Sequence, residues 1–293
     1  MNGIVIVDKP EGFTSHDAVA KLRGILHERR IGHGGTLDPM ATGVLPVFVG
    51  RATRAAEFCE NAEKEYIAGL RLGIVTDTQD TTGTVLESRP VSVTEEELIG
   101  VLSTFLGEQK QIPPMYSAVK VGGRKLYELA RRGVEVERKP RDIVIKKLSL
   151  EGKTDEGDYV LDVVCSKGTY IRTLCADIGD ALGCGGAMAS LRRIRAGAFT
   201  AQDAVTMEEI ERAAANGEAE SILLPVDTLF REYPADTVTD EYDLKQVKNG
   251  GGYKTALPDG KYRIYGKSGE FLMLGAAEDG YMRTIKSFFE VEK

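Results

Sequence analysis

The sequence predicts an α+β protein with a small second domain. Strand-like and helix-like segments are interspersed without the regular alternation of a doubly wound sheet. After residue 233, glycine-rich turns separate short apolar runs, which is typical of a small β-rich domain. The 293 residues suffice for one large domain and one small one. We therefore predict a mixed-sheet main domain at residues 1–232 and a β-rich domain at residues 233–293.

Hydrophobic periodicity and capping residues predict the individual elements. Strands are predicted at residues 4–7, 66–72, 143–150 and 159–165. Helices are predicted after the cap residues Thr14, Thr94 and Thr206, and at residues 126–132 and 174–182. Thr94 and Thr206 are each followed three residues later by a glutamate, the arrangement of a capping box.

Composition excludes several classes of protein. Hydrophobic residues make up 42% and charged residues 28%, and no apolar run approaches the roughly 18 residues of a membrane span. The N-terminus lacks the basic start of a signal peptide. The four cysteines (Cys59, Cys165, Cys175 and Cys184) are scattered, which favours buried thiols in a reducing compartment. We expect a cytoplasmic protein.

Charge is unevenly distributed along the chain. The net charge is −7, yet residues 108–147 contain eleven basic residues against five acidic ones. A basic segment on an acidic protein can bind phosphate groups while the remaining surface keeps the protein in solution. An ordinary solvated face is the alternative interpretation of the same charges.

The segment 32–45 is the most informative stretch of the chain. It contains four glycines, one histidine and a single carboxylate, Asp38, and then runs into an apolar strand-like segment. Glycines permit close backbone approach, and Pro39 restricts the conformation of Asp38. The segment is either a tight turn with local hydrogen bonds or a loop that presents one acid at a fixed point.

Several kinds of catalytic site find no support in the sequence. His16, His27 and His33 lack metal-ligand spacing, no phosphate loop ends in Gly-Lys-Ser/Thr, and a serine nucleophile elbow is missing. A glycosidase would normally use two carboxylates. One positioned acid with neither a metal nor a second catalytic base favours covalent or electrostatic catalysis at a carbon centre.

Five segments in order carry a resemblance to a known family. The segment 32–45 resembles the catalytic loop of the TruB-type pseudouridine synthases. The segments 7–12, 64–78 and 113–118 resemble their lysine-proline motif, their tyrosine motif and the start of their RNA-gripping insertion, here about residues 108–147. Residues 166–172 together with 191–193 complete the likeness. Gly34 and Met40 depart from the threonine and leucine that are common in the family.

The resemblance implies a pseudouridine synthase fold with a largely antiparallel central sheet. It implies a cofactor-free isomerase that converts the uridine at position 55, in the T-loop of tRNA, to pseudouridine. The part after residue 233 resembles more weakly the small β-barrel RNA-binding domain called PUA. We expect a monomer that binds the T-arm stem-loop without an obligatory protein partner.

Roles for individual residues also follow from the resemblance. Asp38 would be the nucleophile or a base directed at the ribose, and Arg172 would pair with it. Tyr66 would stack on the uracil and take the C5 proton. Tyr170 and Leu191 would form dry walls around the detached base.

The remaining implied residues contact RNA. His33 would lie near the flipped nucleotide. Lys9, Lys120, Arg124 and Lys125 would bind the substrate, the last three through phosphates. Two alternatives stay open: an RNA-binding or RNA-folding module with secondary catalysis, and a related synthase that depends on a guide RNA.

Overall fold

A computed structural model describes residues 1–289 of the chain. Its helices are α1 (Ser15–Ile25), α2 (Ala56–Glu60), α3 (Glu95–Thr104), α4 (Leu126–Ala130), α5 (Ile171–Ala181), α6 (Met207–Ala215) and α7 (Glu241–Lys248). Its strands are β1 (Gly3–Lys9), β2 (Ile31–His33), β3 (Thr42–Val49), β4 (Lys64–Leu72), β5 (Ile74–Thr76), β6 (Val85–Ser88), β7 (Gly107–Gln111), β8 (Lys120–Val121), β9 (Arg124–Lys125), β10 (Arg141–Lys153), β11 (Tyr159–Cys165), β12 (Gly186–Ala196), β13 (Phe199–Thr200), β14 (Ala235–Thr237), β15 (Tyr253–Lys254), β16 (Gly260–Tyr265), β17 (Phe271–Glu278) and β18 (Tyr281–Ser287).

The predicted α+β class is confirmed, and so are the predicted helix starts. Thr14, Thr94 and Thr206 each accept a hydrogen bond from the backbone N–H three residues on, and each forms a complete capping box. These caps satisfy N–H groups that the first turn of a helix otherwise leaves without partners.

Backbone contacts divide the chain into two compact units. Unit 1 comprises residues 1–39, 44–60 and 198–293, and unit 2 comprises residues 40–43 and 61–197. The predicted boundary at residue 232/233 follows a different criterion and stays a prediction.

Unit 1 is built around the N-terminal strands. Strand β1 lies beside β3, and β2 runs antiparallel to β3 with Ile31 opposite Val49 and His33 opposite Val47. The strands are almost entirely apolar, and residues such as Ile4 and Phe48 are fully buried. This buried platform carries the loop that follows β2.

Unit 2 contains a mixed sheet. Strands β12, β4, β11, β10 and β7 follow one another with antiparallel pairing, whereas Arg192 and Arg193 of β12 pair in parallel with Thr42 and Gly43 of β3. Helix α5 packs against β12 and β4. Strand β12, which the periodicity did not predict, is therefore central to this sheet.

The C-terminal residues form a sheet of their own, in the order β14-β16-β17-β18-β15. Its core is apolar and includes Ile264, Leu272, Met273 and Met282, each fully buried. A separate sheet here confirms the β-rich C-terminal part that the glycine-rich turns predicted. Among residues 1–289, none of the helices has the length and apolar character needed to cross a membrane.

Gly43 is required where β3 pairs with β12. Its φ is +98°, and a Cβ built on it would lie 2.2 Å from the carbonyl oxygen of Arg193. A backbone atom cannot move aside as a flexible side chain can. The pairing therefore depends on the absence of a side chain at residue 43.

We predict that Gly43→Ala lowers the free energy of unfolding by about 3 kcal/mol or more, because it adds both backbone strain and a clash. Gly12→Ala is the matched control: its φ is +82°, but nothing lies within 4 Å of the new Cβ. The control should cost only the left-handed backbone term of about 1–2 kcal/mol. Urea unfolding of both variants measures the difference, and equal losses would contradict the assignment.

Candidate active site

The loop that presents Asp38 is anchored on the residue before it. Asp38 is half-buried between β2 and β3. The backbone N–H of Leu37 donates to Oγ of Ser15 at 2.8 Å, and the Ser15 hydroxyl lies 3.2 Å from the carbonyl oxygen of Leu37. Ser15 is 2% exposed at the start of α1. The loop is thereby fixed to a rigid helix.

Lys9 anchors the residue after Asp38. Its side chain is fully buried, and Nζ donates to the carbonyl oxygens of Pro10 at 2.8 Å, Phe13 at 2.6 Å and Pro39 at 3.3 Å. The carbonyl of Pro39 also accepts from the N–H of Gly12 at 2.8 Å. A buried ammonium needs such acceptors, since losing its hydration is costly. The geometry gives Lys9 a structural task, and its predicted contact with RNA stays a prediction.

His33 and Gly34 lead into the loop from β2. His33 is half-buried, and the N–H of Gly34 donates to the carbonyl oxygen of Pro46 at 2.9 Å. Unit 1 thus brings Lys9, His33 and Asp38 together on its N-terminal strands and the loop between β2 and β3. The acid has a fixed backbone on both sides and remains accessible.

Tyr66 and Leu191 lie on one face of the sheet in unit 2. Tyr66 on β4 is opposite Arg193 of β12, and Leu191 is opposite Ala68, the next residue of β4 on that face. Tyr66 and Leu191 are therefore diagonal neighbours, and both are 8% exposed. Together they supply apolar surface on neighbouring strands.

Arg172 is buried in the first turn of α5. Its Nη1 donates to the carbonyl oxygen of Thr78 at 3.2 Å, and Nη2 donates to that of Tyr116 at 2.8 Å. Nη1 also lies 3.8 Å from Oδ2 of Asp80. Arg172 is 5% exposed and Asp80 is 6% exposed, so this is an ion pair largely shielded from solvent. Carbonyls and carboxylate together fix the direction of the guanidinium.

Asp80 lies beside the candidate site residue Arg172 and was not predicted from the sequence. Its Oδ1 accepts from the hydroxyls of Thr78 at 2.8 Å and Thr82 at 2.6 Å, and from the N–H of Thr82 at 3.0 Å. The Thr76 hydroxyl donates to the Asp80 carbonyl at 2.8 Å. Threonines at every second position around one aspartate are the sequence signal of this turn. The turn aims the other oxygen, Oδ2, at Arg172.

Tyr170, just before α5, is held by Gln111. The N–H of Tyr170 donates to Oε1 of Gln111 at 2.7 Å, and Nε2 of Gln111 donates to the Tyr170 carbonyl at 3.0 Å. Gln111 is 4% exposed at the end of β7. This two-way amide contact sets where α5 begins and was not predicted. It places Tyr170 and Arg172 on one constrained segment.

The basic residues Lys120, Arg124 and Lys125 lie on a short hairpin. Lys120 is directly opposite Lys125 in the β8–β9 pair, and Gly122 and Gly123 form the turn. Nζ of Lys125 lies 5.4 Å from the centre of the Tyr127 ring. Like charges placed opposite each other are destabilising, so this hairpin is suited to an anionic partner.

Burial keeps two cysteines of unit 2 as neutral thiols. Loss of solvation raises the pKa of Cys165 to about 11 and that of Cys175 to about 12. All four cysteines are buried, as the scattered pattern predicted. Within residues 1–289, histidine, cysteine and acidic side chains form no group of three or more suited to a metal ion.

Comparison with protein families gives a match over most of the chain. Residues 23–171 match the TruB family pseudouridylate synthase (N terminal domain). Residues 172–231 match the tRNA pseudouridylate synthase B C-terminal domain. The two matches meet between Ile171 and Arg172, at the start of α5.

Curated relatives are similar along nearly their whole length. The chain is 44% identical to the tRNA pseudouridine synthase B of Clostridium kluyveri over 98% of this chain and 100% of that protein. It is 46% identical to the protein of the same name from Bacillus thuringiensis (strain Al Hakam) over 88% of this chain and 86% of that one.

Solved structures agree with the sequence comparisons. One chain in a crystal structure of a Cbf5-Nop10-Gar1 complex superposes with a TM-score of 0.74 and 28% identity, over 98% of this chain and 85% of that one. One in a structure of an H/ACA RNP bound to a substrate RNA gives a TM-score of 0.73 and 26% identity, with coverage of 98% and 85%. Together with the family matches, these likenesses show that the chain belongs to the TruB family of pseudouridine synthases.

Proposed function

We propose that this chain isomerises one uridine in the T-arm of tRNA to pseudouridine, acting as a monomer in the cytoplasm without a guide RNA or a protein partner. The observation that carries the proposal is the doubly anchored Asp38 loop in a chain of this family. Its neighbours Leu37 and Pro39 are both bonded to buried groups, so a single carboxylate is presented with little freedom. Such fixation supplies orientation, which lowers a reaction barrier.

The reaction requires three changes at the nucleotide. The N–C glycosidic bond breaks, the uracil turns while it stays bound, and a C–C bond forms to C5, which then loses its proton while N1, released from the ribose, gains one. Asp38 acts as nucleophile or as a base directed at the ribose. Tyr66 stacks on the uracil and takes the C5 proton, while Tyr170 and Leu191 exclude water from the detached base.

Arg172 and Asp80 form a preorganised electrostatic pair. We assign Arg172 to keeping the catalytic carboxylate ionised, since a neighbouring cation favours the charged form of an acid. The Asp80 carboxylate and two carbonyls hold the guanidinium before substrate arrives. A fixed charge in a shielded site stabilises a developing charge more effectively than a mobile one in water.

RNA binding is assigned to the hairpin of β8 and β9 and to the loop residue His33. The substrate uridine must leave its stack, at a cost of a few kcal/mol. Phosphate contacts by Lys120, Arg124 and Lys125 offset that cost. His33 contacts RNA beside the extruded nucleotide.

A module that only binds or refolds RNA is the main alternative from another class. Such a protein would not need Asp38, a buried Arg172–Asp80 pair and Tyr66 together. A synthase that depends on a guide RNA is the second alternative. Chains of similar fold occur in a Cbf5-Nop10-Gar1 complex and in an H/ACA RNP, so fold alone does not decide whether this chain acts by itself or within a larger assembly.

We predict that Asp38→Asn lowers the rate of pseudouridine formation by about 10⁴-fold or more, because removal of a catalytic nucleophile lowers turnover by a factor of that size. Binding of an unmodified T-arm stem-loop should stay nearly unchanged, because the amide has the same shape. Glu208→Gln is the matched control: it removes a carboxylate charge from an exposed position of unit 1 and should leave turnover intact. Turnover of Asp38→Asn near the wild-type level would refute the catalytic assignment.

We predict that Asp80→Asn lowers the rate of a single turnover by about 10²-fold, because Arg172 loses the charge that orients it. The amide oxygen introduced by this change still accepts from Thr82, so the turn persists. Asp77→Asn is the control, since Asp77 is an exposed carboxylate nearby that bonds instead to the Thr84 N–H. Quench-flow at saturating RNA measures the single-turnover rate of both variants. An equal fall in both rates would show that Asp80 has no special role in the site.

We predict that Lys125→Ala weakens stem-loop binding and flattens the slope of log affinity against log salt by about 0.7–1, the contribution of one phosphate contact. Lys267→Ala, at an exposed lysine outside the basic segment, should leave the slope unchanged. Fluorescence anisotropy titrations at several salt concentrations give both slopes. If the Lys125→Ala slope equals that of the wild type, Lys125 makes no phosphate contact.

A further inference from the structure

Helix α2 supports the Asp38 loop through Cys59. A Cβ placed on Gly34 would lie 2.9 Å from Cβ of Cys59, 3.2 Å from its Sγ and 2.7 Å from a ring carbon of Phe48. The loop backbone therefore rests directly on the Cys59 side chain, which is fully buried. The glycine that stands here in place of the family's common threonine is what permits this contact.

The residue before Cys59 faces the C-terminal part of the chain. The ring of Phe58 meets that of Phe230 edge to face, with 5.1 Å between centroids. Phe230 is 2% exposed and packs in turn against Phe271 of β17 at 6.1 Å and against Phe288 at 5.7 Å. Aromatic pairs of this kind bury much area and hold a defined geometry.

Polar contacts accompany this aromatic cluster. Nζ of Lys286 on β18 lies 2.6 Å from Oε1 of Glu57, and Nη1 of Arg54 donates to Oγ of Ser287 at 3.1 Å. The C-terminal sheet is thus joined to α2 and to the turn before it by both packing and charge. All of these residues belong to unit 1, as does Asp38.

We infer that the C-terminal sheet is a positioning element for the catalytic loop, acting through Phe58 and Cys59, in addition to any contact it makes with RNA. Phe58 is then a positioning residue. The inference rests on the proposed catalytic role of Asp38. The C-terminal sheet packs against Phe58 through Phe230, and the next residue of α2, Cys59, contacts the loop backbone at Gly34. Removing the Phe58 ring therefore makes the loop more mobile, while every residue of the β8–β9 hairpin stays unchanged.

The test is Phe58→Ala in the full chain, with two readouts. The amides of Gly34 and Leu37, which are bonded to Pro46 and Ser15, should exchange hydrogen about tenfold faster. The single-turnover rate at saturating stem-loop should fall about tenfold or more, because the acid is misplaced. The Kd for the stem-loop should change by less than about twofold. Phe58→Leu keeps apolar volume against Phe230 and should restore most of both signals.

Leu98→Ala is the matched control, since Leu98 is fully buried in α3 of unit 2 and belongs neither to the C-terminal sheet nor to the Asp38 loop. It should lower the Tm at least as much as Phe58→Ala while leaving exchange at Gly34 and Leu37 and the single-turnover rate unchanged. Unchanged exchange in Phe58→Ala, an equal response to Leu98→Ala, or a loss confined to Kd would each overturn the inference. An active Asp38→Asn would instead refute the proposed function, while the exchange data would still decide whether the sheet holds the loop.

Discussion

The hydrogen bonds that clamp the Asp38 loop are the constraint on which the rest of the proposed site depends. An acid that reacts must be reachable, which favours a loop, yet it must also be held in place. The chain meets both demands by bonding the residues on either side of the acid: Leu37 to the Ser15 hydroxyl, and Pro39 to the Lys9 ammonium. A buried lysine is rarely tolerated, and here three carbonyl acceptors replace its water.

Unit 2 also holds a buried cation in place with buried acceptors, and here the cation is the guanidinium of Arg172. Arg172 is buried, and Asp80 with two carbonyls compensates it, so the guanidinium has one preferred direction before any substrate binds. Buried ion pairs contribute little net stability, which favours an orienting role for this one. Gln111 fixes the adjoining Tyr170 in the same manner, through its backbone. The groups that support the side chains proposed for catalysis are thus buried amides, hydroxyls and charges.

Elements defined by neighbouring residues could be predicted from the sequence, whereas contacts between residues far apart in the chain could not. The caps at Thr14, Thr94 and Thr206 and the strand at Tyr66 follow from neighbouring residues, and the structure confirms them. Strand β12 escaped prediction because bulges between Met188 and Ser190 and between Arg193 and Arg195 interrupt its alternation. The threonines around Asp80 are a local signal for its turn, but its contact with Arg172 has no local signal. The contacts of Gln111 with Tyr170 and of Lys9 with Pro39 likewise join residues far apart in the chain. The residues assigned to chemistry came from ordered motifs, and the residues that support them came from the structure.

We propose that this chain alone carries out a site-specific isomerisation of tRNA. The most direct measurement is the pseudouridine content, by mass spectrometry, of an unmodified T-arm stem-loop incubated with the purified protein and nothing else. We expect conversion of one T-loop uridine in each stem-loop. A requirement for an added guide RNA or a second protein would contradict this proposal. Conversion spread over several uridines would contradict it as well.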